Sequence, residues 1–570
     1  MIGASGSCSN CPESTIRSAD TPREGKMRPI EEIVSELGVE DGLATNYGRY
    51  KAKISLSALG GRPSRGKLIL VTGMTPTSHG EGKTVVSIGL VNGLKKLGKL
   101  PVACIRQPSL GPVFGIKGGG AGGGRSTLEP MQEVNMRLTG DMEAITSAHN
   151  LLAATVDNHI FHGNALDIDP EAILWPRVLD VEDRALREVR VALGAKNGTP
   201  HEGKFIITAA SEVMAILCLS KGYADLKARL GRMMVAYDKK GSPVTASDLK
   251  VVGAMGALLR DALQPNLVQT NEGAPALVHG GPFGNIAHGT CSLISIALAM
   301  QSADYAVVEA GFGSDLGAEK FIDIVTRVAG IGVDAAVIVA TLRALRRQGT
   351  SVDGGAASFQ DAPDPEAVKG GLANLAKHLE NVRALGLRPV VALNLFEGDG
   401  EEEVSAVSDY CAREGIPFST TSAFSEGGAG SLSLALLVVE AAGRGSTCKP
   451  VYELGDSIPD KVRKVVERMY GGSGVTYTEV ATKEIEKIAG LGYGGLPVCI
   501  AKTATSLSDD PRLLGRPVGF TATVHDVELA AGAGYVIVEM GEISRMPGLP
   551  SSPAAERISL GDDGVIAGVL

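Results

Sequence analysis

The chain carries no excess of basic charge: 55 Lys and Arg stand against 64 Asp and Glu, for a formal net charge of −9. A nucleic-acid partner would want a basic face, so that class is not expected. No apolar run approaches the ~20 residues of a membrane-spanning helix, and no basic-then-apolar leader opens the chain. No internal repeat is visible. Aromatic residues make up only 4% of the sequence, with a single Trp, while glycine is abundant at 74 residues. That balance points to many tight strand–helix turns. Cysteine is sparse as well. Six of the eight (Cys104, Cys218, Cys291, Cys411, Cys448 and Cys499) are scattered through apolar or turn contexts, which reads as reduced thiols of a cytoplasmic protein. Cys8 and Cys11 form a CxxC that could hold a metal or a disulfide. No second CxxC accompanies it, so a metal site is not expected there.

A hydrophobic content of 44% with 21% charge is ordinary for a soluble globular chain. At 570 residues it exceeds what one core organises, and roughly two to four domains are expected. The stretch Leu68–Thr84, LILVTGMTPTSHGEGKT, organises the rest. Leu68 to Thr72 form an apolar, β-branched run suited to a strand buried on both faces. A loop with Gly80 and Gly82 follows, then Lys83 and Thr84, and Val86, Leu90, Leu94 and Leu97 continue at helical spacing toward Gly98. Strand, glycine loop, Lys-Thr and helix together make a candidate phosphate-binding loop. Its backbone N–H groups would turn inward around phosphate oxygens, Lys83 would reach the terminal phosphates, and Thr84 would offer its hydroxyl to Mg²⁺. The first glycine of the usual GxxxxGK[ST] pattern falls on Thr77. The alternative is an ordinary glycine-rich βα turn.

Residues 1–28 read as a flexible extension, with folding beginning near Pro29 in an amphipathic segment (Ile30, Ile33, Val34, Leu37). A second strand, Leu100–Ile105, delivers Arg106 at its end. Ligands of parallel α/β sheets collect at the carboxyl ends of strands, which places Arg106 near the phosphates held by Lys83. A guanidinium there can fork onto a carboxylate or phosphate, although a surface ion pair is the equal alternative. The glycine-rich 111–124 stretch, with Lys117, then Asn135, Thr139 and Asp141, suggests a polar pocket wall. A mostly helical inserted region is expected over 146–275. His149 and His159 lie ten apart on its first helix, which is poor geometry for a metal pair, so buried structural histidines are expected. The α/β rhythm returns with strands Tyr305–Ala310 and Ala335–Ala340. A linker spans Gly349–Pro365, then a helix stripe runs through Val368, Leu372, Leu375, Leu379 and Val382 to Gly386, and the strand Val390–Leu393 follows. The fold expected is α/β, with a P-loop NTPase-like parallel sheet over 29–360 and further α/β structure over 361–570.

With these residues in view, the chain resembles the formate–tetrahydrofolate ligases from about Pro29 to its end. The likeness rests on TPTSHGEGKT (75–84), PSLGPVFGIKGGGAGGG (108–124), LTGD (138–141), ASEVMAILCL (210–219), HGGPFGNIAHG (279–289), EAGFGSDLGAEKF (309–321), LPVCIAKT (496–503), SDDPRLLGRP (508–517) and MPGLPSSPAA (546–555). The resemblance implies formation of formyl phosphate from formate and ATP, attack on it by tetrahydrofolate N10, a need for Mg²⁺, help from a monovalent cation, and a cytoplasmic homotetramer. It implies small-molecule substrates only, with no nucleic acid and no membrane. Nucleotide contacts would come from Thr77, Ser78, His79, Gly80, Glu81, Gly82, Lys83 and Thr84, with Thr84 on the metal. Lys83, Arg106, Gln107, Arg137 and Asp141 form the implied catalytic set, with Arg106 on the formate carboxylate. The segment 423–430, AFSEGGAG, would help hold the folate through Phe424.

The chain departs from the family pattern at several implied site positions. An acid is usual at Gln107, histidines at Arg137 and Glu143, and an Asp at Ile206. An arginine is usual at Leu395, and a Trp and a Lys at Phe424 and Glu426. These changes fall mainly on the acid–base and folate side, while Gly80 to Thr84 are intact. Two further readings therefore stand beside the family reaction. One is a diverged ligase that activates a small carboxylate for another acceptor. The other is a weakly active, nucleotide-binding regulatory paralog.

Overall fold

The computed structural model describes residues 27–61, 63–77, 80–115, 119–194, 196–350, 362–445, 448–541 and 543–569. The Cys8/Cys11 pair, Ser78, His79, Lys117 and most of the 349–365 linker lie outside the described residues.

A 12-stranded, mostly parallel sheet forms the centre. Its main strands, in chain order, are β1 (Lys67–Gly73), β2 (Pro101–Ile105), β3 (Asn266–Thr270), β4 (Pro275–Val278), β5 (Tyr305–Gly313), β6 (Ala335–Ala340), β7 (Pro389–Asn394) and β8 (Phe418–Thr421). In space the parallel run is β4-β2-β5-β1-β6-β7-β8. β3 and the short strands beyond it add an antiparallel edge. Along β1, Leu68 and Leu70 face one apolar cluster and Ile69 and Val71 the other, all with no exposed surface. β6 alternates likewise, with Ala336 and Ile338 on one side and Val337 and Val339 on the other. Both faces are covered, which is why these strands read as continuous apolar runs instead of alternating ones.

Helix α1 (Lys83–Lys96) covers one face together with the helix Leu432–Gly443. α2 (Asp141–Phe161), α3 (Leu342–Gly349) and α4 (Pro365–Ala384) pack on the other side. The α4 stripe foreseen from Val368 to Val382 is buried, and Gly386 adopts the left-handed φ of 77° just past the helix end. α1 leaves β1 toward β2, beyond β5, whereas β6 lies on the opposite side of β1. That reversal falls at β1, and in such sheets ligands bind in the crevice outside the carboxyl ends of the strands at the reversal.

Two expectations need correction. The 146–275 region is not mostly helical. After α2 it runs through short strands at Ile168–Ile173, Arg177–Leu179, Val189–Val191, His201–Gly203 and Phe205–Ile207 before helices return at Glu212–Leu219 and Tyr223–Arg232. Asn164 and Asp167 take positive φ (47° and 50°) directly after α2, and Pro170, Pro176 and Pro200 break any further helix. The central sheet also continues past residue 360, because β6 pairs with β7 and β7 with β8. A division at 360–361 therefore does not coincide with an edge of the sheet. A separate three-stranded sheet, Asp526–Ala530, Tyr535–Glu539 and Val498–Ala501, follows in the C-terminal part.

Close packing on α1 is set by glycine. A Cβ on Gly89 would lie 2.6 Å from Ala423 Cβ and 2.7 Å from Ser431 Oγ. Gly89→Val should therefore cost about 1–3 kcal/mol by overpacking. Gly253→Ala, in a helix with nothing within 4 Å, should be neutral or stabilise by up to about 1 kcal/mol. Denaturant midpoints of the two variants check this, and equal losses would contradict the packing.

Candidate functional site

The loop after β1 enters α1 through Gly82, whose φ of 69° is left-handed. A Cβ there would lie 2.5 Å from Asn394 Nδ2, so the position has both a conformational and a steric reason for glycine. Gly82, the N-cap of α1, has no side chain to cap it. A helix start of this kind carries a partial positive charge that suits an anion.

Glu81 shapes this loop from inside. Its side chain is buried, and Oε1 accepts the Thr77 N–H at 2.5 Å while Oε2 accepts the Thr341 hydroxyl at the end of β6. Asn394 Nδ2, at the end of β7, donates to the Glu81 carbonyl at 3.2 Å. On the other side, Thr84 Oγ1 donates to Glu309 Oε1 at 2.8 Å, and Glu309 is a buried carboxylate on β5. The loop is consequently tied to the carboxyl ends of β5, β6 and β7.

Arg106 extends from the end of β2, where its Nη1 donates to Pro282 O at 3.2 Å. It lies against β5 too, since a Cβ on Gly311 would be 3.5 Å from Nη1. Thr84 and Arg106 therefore meet the same strand end two residues apart. Gln107 is buried; its N–H donates to Gly280 O at 2.7 Å, and its Oε1 has no partner among the described residues. His288, in the same loop as Pro282, is buried, and neither ring nitrogen has a partner among the described residues. Burial first, then the charges of Arg106, Lys320 and Arg229, push its pKa down to about 3, so it stands neutral beside the guanidinium.

The other implied residues are placed differently. Asp141 opens α2 in a buried ion pair with Lys53 at 2.6 Å and accepts Asn266 Nδ2 at 2.7 Å. Those contacts are structural in kind. Arg137 is 75% exposed and pairs through Nε with Glu143 Oε1 at 2.6 Å, so two departures from the family pattern bind each other. Phe424, 53% exposed, lies on the glycine-rich hairpin: a Cβ on Gly124 would be 2.8 Å from its Cγ. Arg125 N donates to Phe424 O at 2.7 Å, and Ser126 Oγ to Ala423 O at 2.7 Å, which fixes the segment against that hairpin. Ile206 is buried, Leu395 half-buried and Glu426 exposed. His149 is buried and stacks on Trp175 at 4.2 Å; His159 is half-buried and accepts Leu166 N. His149 is buried as expected, whereas His159 is only half-buried. Among the described residues there is no group of three or more His, Cys, Asp or Glu placed to hold a metal.

Sequence reasoning named Glu81 as a nucleotide contact and missed its part as an internal support of the loop. Asn394 and Thr341 gave no local signal, because their partner Glu81 is far away in the chain. Glu309 had one: a carboxylate inside an otherwise apolar strand. His378 had one as well, a polar residue on the buried stripe of α4. Its Nε2 sits 2.9 Å from Thr75 Oγ1 at the start of the loop, and its Nδ1 2.8 Å from Ser314 Oγ. Asn374 joins this relay, donating to Thr75 Oγ1 at 3.0 Å and to Gly515 O at 2.7 Å.

The fold defines a mixed α/β protein in which a glycine loop opens a helix on a large, mostly parallel sheet. A family model, formate–tetrahydrofolate ligase, matches residues 17–570, and the chain belongs to that family. It is a family of ATP-dependent ligases with tetrahydrofolate as a substrate. No helix among the described residues is long and apolar enough to cross a membrane.

Burial holds the His378 pKa down at about 4, from the usual 6.5. A histidine depressed in the folded state contributes its stability above the unfolded pKa and loses it as pH falls from about 6.5 toward about 4. The buried carboxyls of Glu212 (raised to about 7) and Asp180 (raised to about 6) act the other way, so the whole-protein profile mixes opposing slopes. The stability advantage of the wild type over His378→Asn isolates one of them. It should shrink by about 1 kcal/mol per pH unit between pH 6.5 and 4, read by denaturant unfolding. A constant difference would contradict a neutral, buried His378.

Proposed function

We propose that this chain ligates formate to tetrahydrofolate, giving 10-formyltetrahydrofolate, ADP and phosphate by way of formyl phosphate. The observation that carries this reading is the convergence of Thr84 and Arg106 on the end of β5, beside the uncapped start of α1. In this reading the β1–α1 turn is a phosphate loop on a P-loop NTPase-like core. The α1 amides and Lys83 take the β- and γ-phosphates of ATP, and Arg106 takes the two carboxylate oxygens of formate.

A formate oxygen attacks the γ-phosphorus, the bond to the ADP oxygen breaks, and formyl phosphate remains between Lys83 and Arg106. Such a transfer needs positioning and charge neutralisation more than covalent help from the protein. Thr84 and Glu309 are hard oxygen donors that suit Mg²⁺, and would hold it. The ion supplies charge neutralisation at the phosphate oxygens. Tetrahydrofolate N10 then attacks the formyl carbon, phosphate leaves, and the N10 proton is lost. Phe424 offers an aromatic face to the folate. A homotetramer in the cytoplasm, assisted by a monovalent cation, is the family's habit and is proposed on resemblance alone.

A second reading is favoured by one observation, the Arg137–Glu143 pair. Arginine stays protonated and cannot accept the N10 proton, so carboxylate activation could outlast efficient delivery to folate. The regulatory, weakly active paralog is the further extreme of the same idea.

Two variants test the leading reading. Lys83→Ala should lower formate-dependent ADP release about a hundredfold or more, on the order of 3 kcal/mol of transition-state stabilisation. Unchanged turnover would remove the phosphate loop from the mechanism. Arg106→Lys should raise the KM for formate at least tenfold while changing the KM for ATP less than threefold, because a lysine cannot fork onto a carboxylate. Equal weakening of both substrates would move Arg106 out of the formate site.

A further inference from the structure

Asn394 ends β7 with its side chain buried and only half satisfied. Its Nδ2 is spent on the Glu81 carbonyl at 3.2 Å and lies close above Gly82. That contact orients the amide, since a carbonyl accepts only from the NH₂ side. The opposite atom, Oδ1, is buried and has no hydrogen-bond partner among the described residues. Buried polar atoms are nearly always paired, so an orphaned acceptor beside a ligand loop calls for a donor supplied from outside the chain.

We propose that Asn394 Oδ1 reads the base of the bound nucleotide by accepting a hydrogen bond from the exocyclic 6-amino group of adenine. This rests on the nucleotide reading above and adds the part of the ligand that the loop itself does not reach. Three points single out the amino group. An acceptor oxygen repels phosphate oxygens, so Asn394 is not a phosphate ligand. Asn394 ends the second strand from β1, and its side chain reaches back to the rim of the loop at Glu81 and Gly82, on the side of β1 opposite to β5, where Thr84 and Arg106 meet. A base that leaves the loop on that side comes to Oδ1. Guanine would place a carbonyl oxygen where adenine places its amine, setting two acceptors against each other in a buried site. Sites built to bond a particular N–H discriminate strongly against ligands that lack it. Asn394 thereby joins two functions: one end of its amide shapes the loop, and the other selects ATP.

The test is competitive binding to the full-length protein, using ATP, purine riboside 5′-triphosphate, which lacks only the 6-amino group, GTP, and the 2′- and 3′-deoxy forms of ATP. Wild type should bind ATP at least tenfold more tightly than purine riboside triphosphate or GTP, and both deoxy forms within threefold of ATP. In Asn394→Ala the ratio of ATP to purine riboside triphosphate should fall below two. Thr341→Val, which loosens Glu81 without touching the amide, should weaken both nucleotides and keep the wild-type ratio. The inference is overturned by a wild-type ratio below three, by a ratio that survives in Asn394→Ala, or by the deoxy forms alone losing affinity, which would give Oδ1 to the ribose. The wild-type ratios need no variant, so they decide the matter even if Asn394→Ala does not fold. Binding of all triphosphates without base preference removes only this inference, whereas binding of none removes the nucleotide reading with it.

Discussion

The site depends on carboxylates buried at the ends of parallel strands. Glu309 on β5 accepts the Thr84 hydroxyl, and Glu81 accepts the Thr77 amide and the Thr341 hydroxyl. Charge in such a place is costly unless each oxygen is met by a donor, and here the donors are the loop and helix that must be positioned. The requirement to satisfy Glu81 and the requirement to shape the loop are therefore one requirement. Because the anchors lie on β5, β6 and β7, the loop is held by the sheet and not merely by its own glycines. Arg106 meets the same β5 end through Gly311, so the positions proposed for phosphate and carboxylate are fixed relative to each other by one rigid element.

Behind the loop, a second polar layer links it to the C-terminal part. Thr75, His378 and Ser314 form a buried chain, Asn374 carries it to Gly515, and the buried pair Asp315–Lys502 lies at 2.7 Å on the turn after β5. Lys502 also donates to Thr503 O at 3.1 Å and Ser506 O at 2.6 Å, which fixes the segment that follows Val498–Ala501. The resemblance singled out LPVCIAKT and SDDPRLLGRP as blocks without giving them a task. Their place in the fold supplies one: through Asn374 and Asp315 they brace the β1 loop and the turn after β5.

What the sequence revealed follows from the range of the interactions involved. β1, β6, β7 and the α4 stripe were readable because burial on both faces, or on one helical face, leaves a periodic mark in consecutive residues. The β1–α1 turn was readable because a left-handed Gly82 and the Lys-Thr pair sit side by side. Nothing local announces that Thr84 meets Glu309, 225 residues away, or that Glu81 meets Thr341, 260 residues away. The 162–211 stretch misled for a related reason. Ile168–Ile173 pairs with Met234–Asp238 outside the stretch, the other four strands pair among themselves, and strands of three residues are too brief to display a period. Asp141 was implied by its motif, and nothing local announces that it meets Lys53 and Asn266.

The departures look different once they have neighbours. Read singly, Arg137 and Glu143 each replace a residue expected to titrate near neutrality with one that holds its charge. Together they form a 2.6 Å pair at an exposed turn, so each supplies the counter-charge that the other change requires. An exposed pair of this kind contributes little stability, so its arrangement is not explained by holding the fold together. Restoring histidine at 137 alone would leave Glu143 without its guanidinium and would test a state that neither pattern contains. Gln107 behaves otherwise, being buried with an unpaired Oε1 next to Arg106 and against the loop that carries neutral His288. The two departures are thus placed differently: Gln107 is buried just past the end of β2, whereas the Arg137–Glu143 pair is exposed at the start of α2.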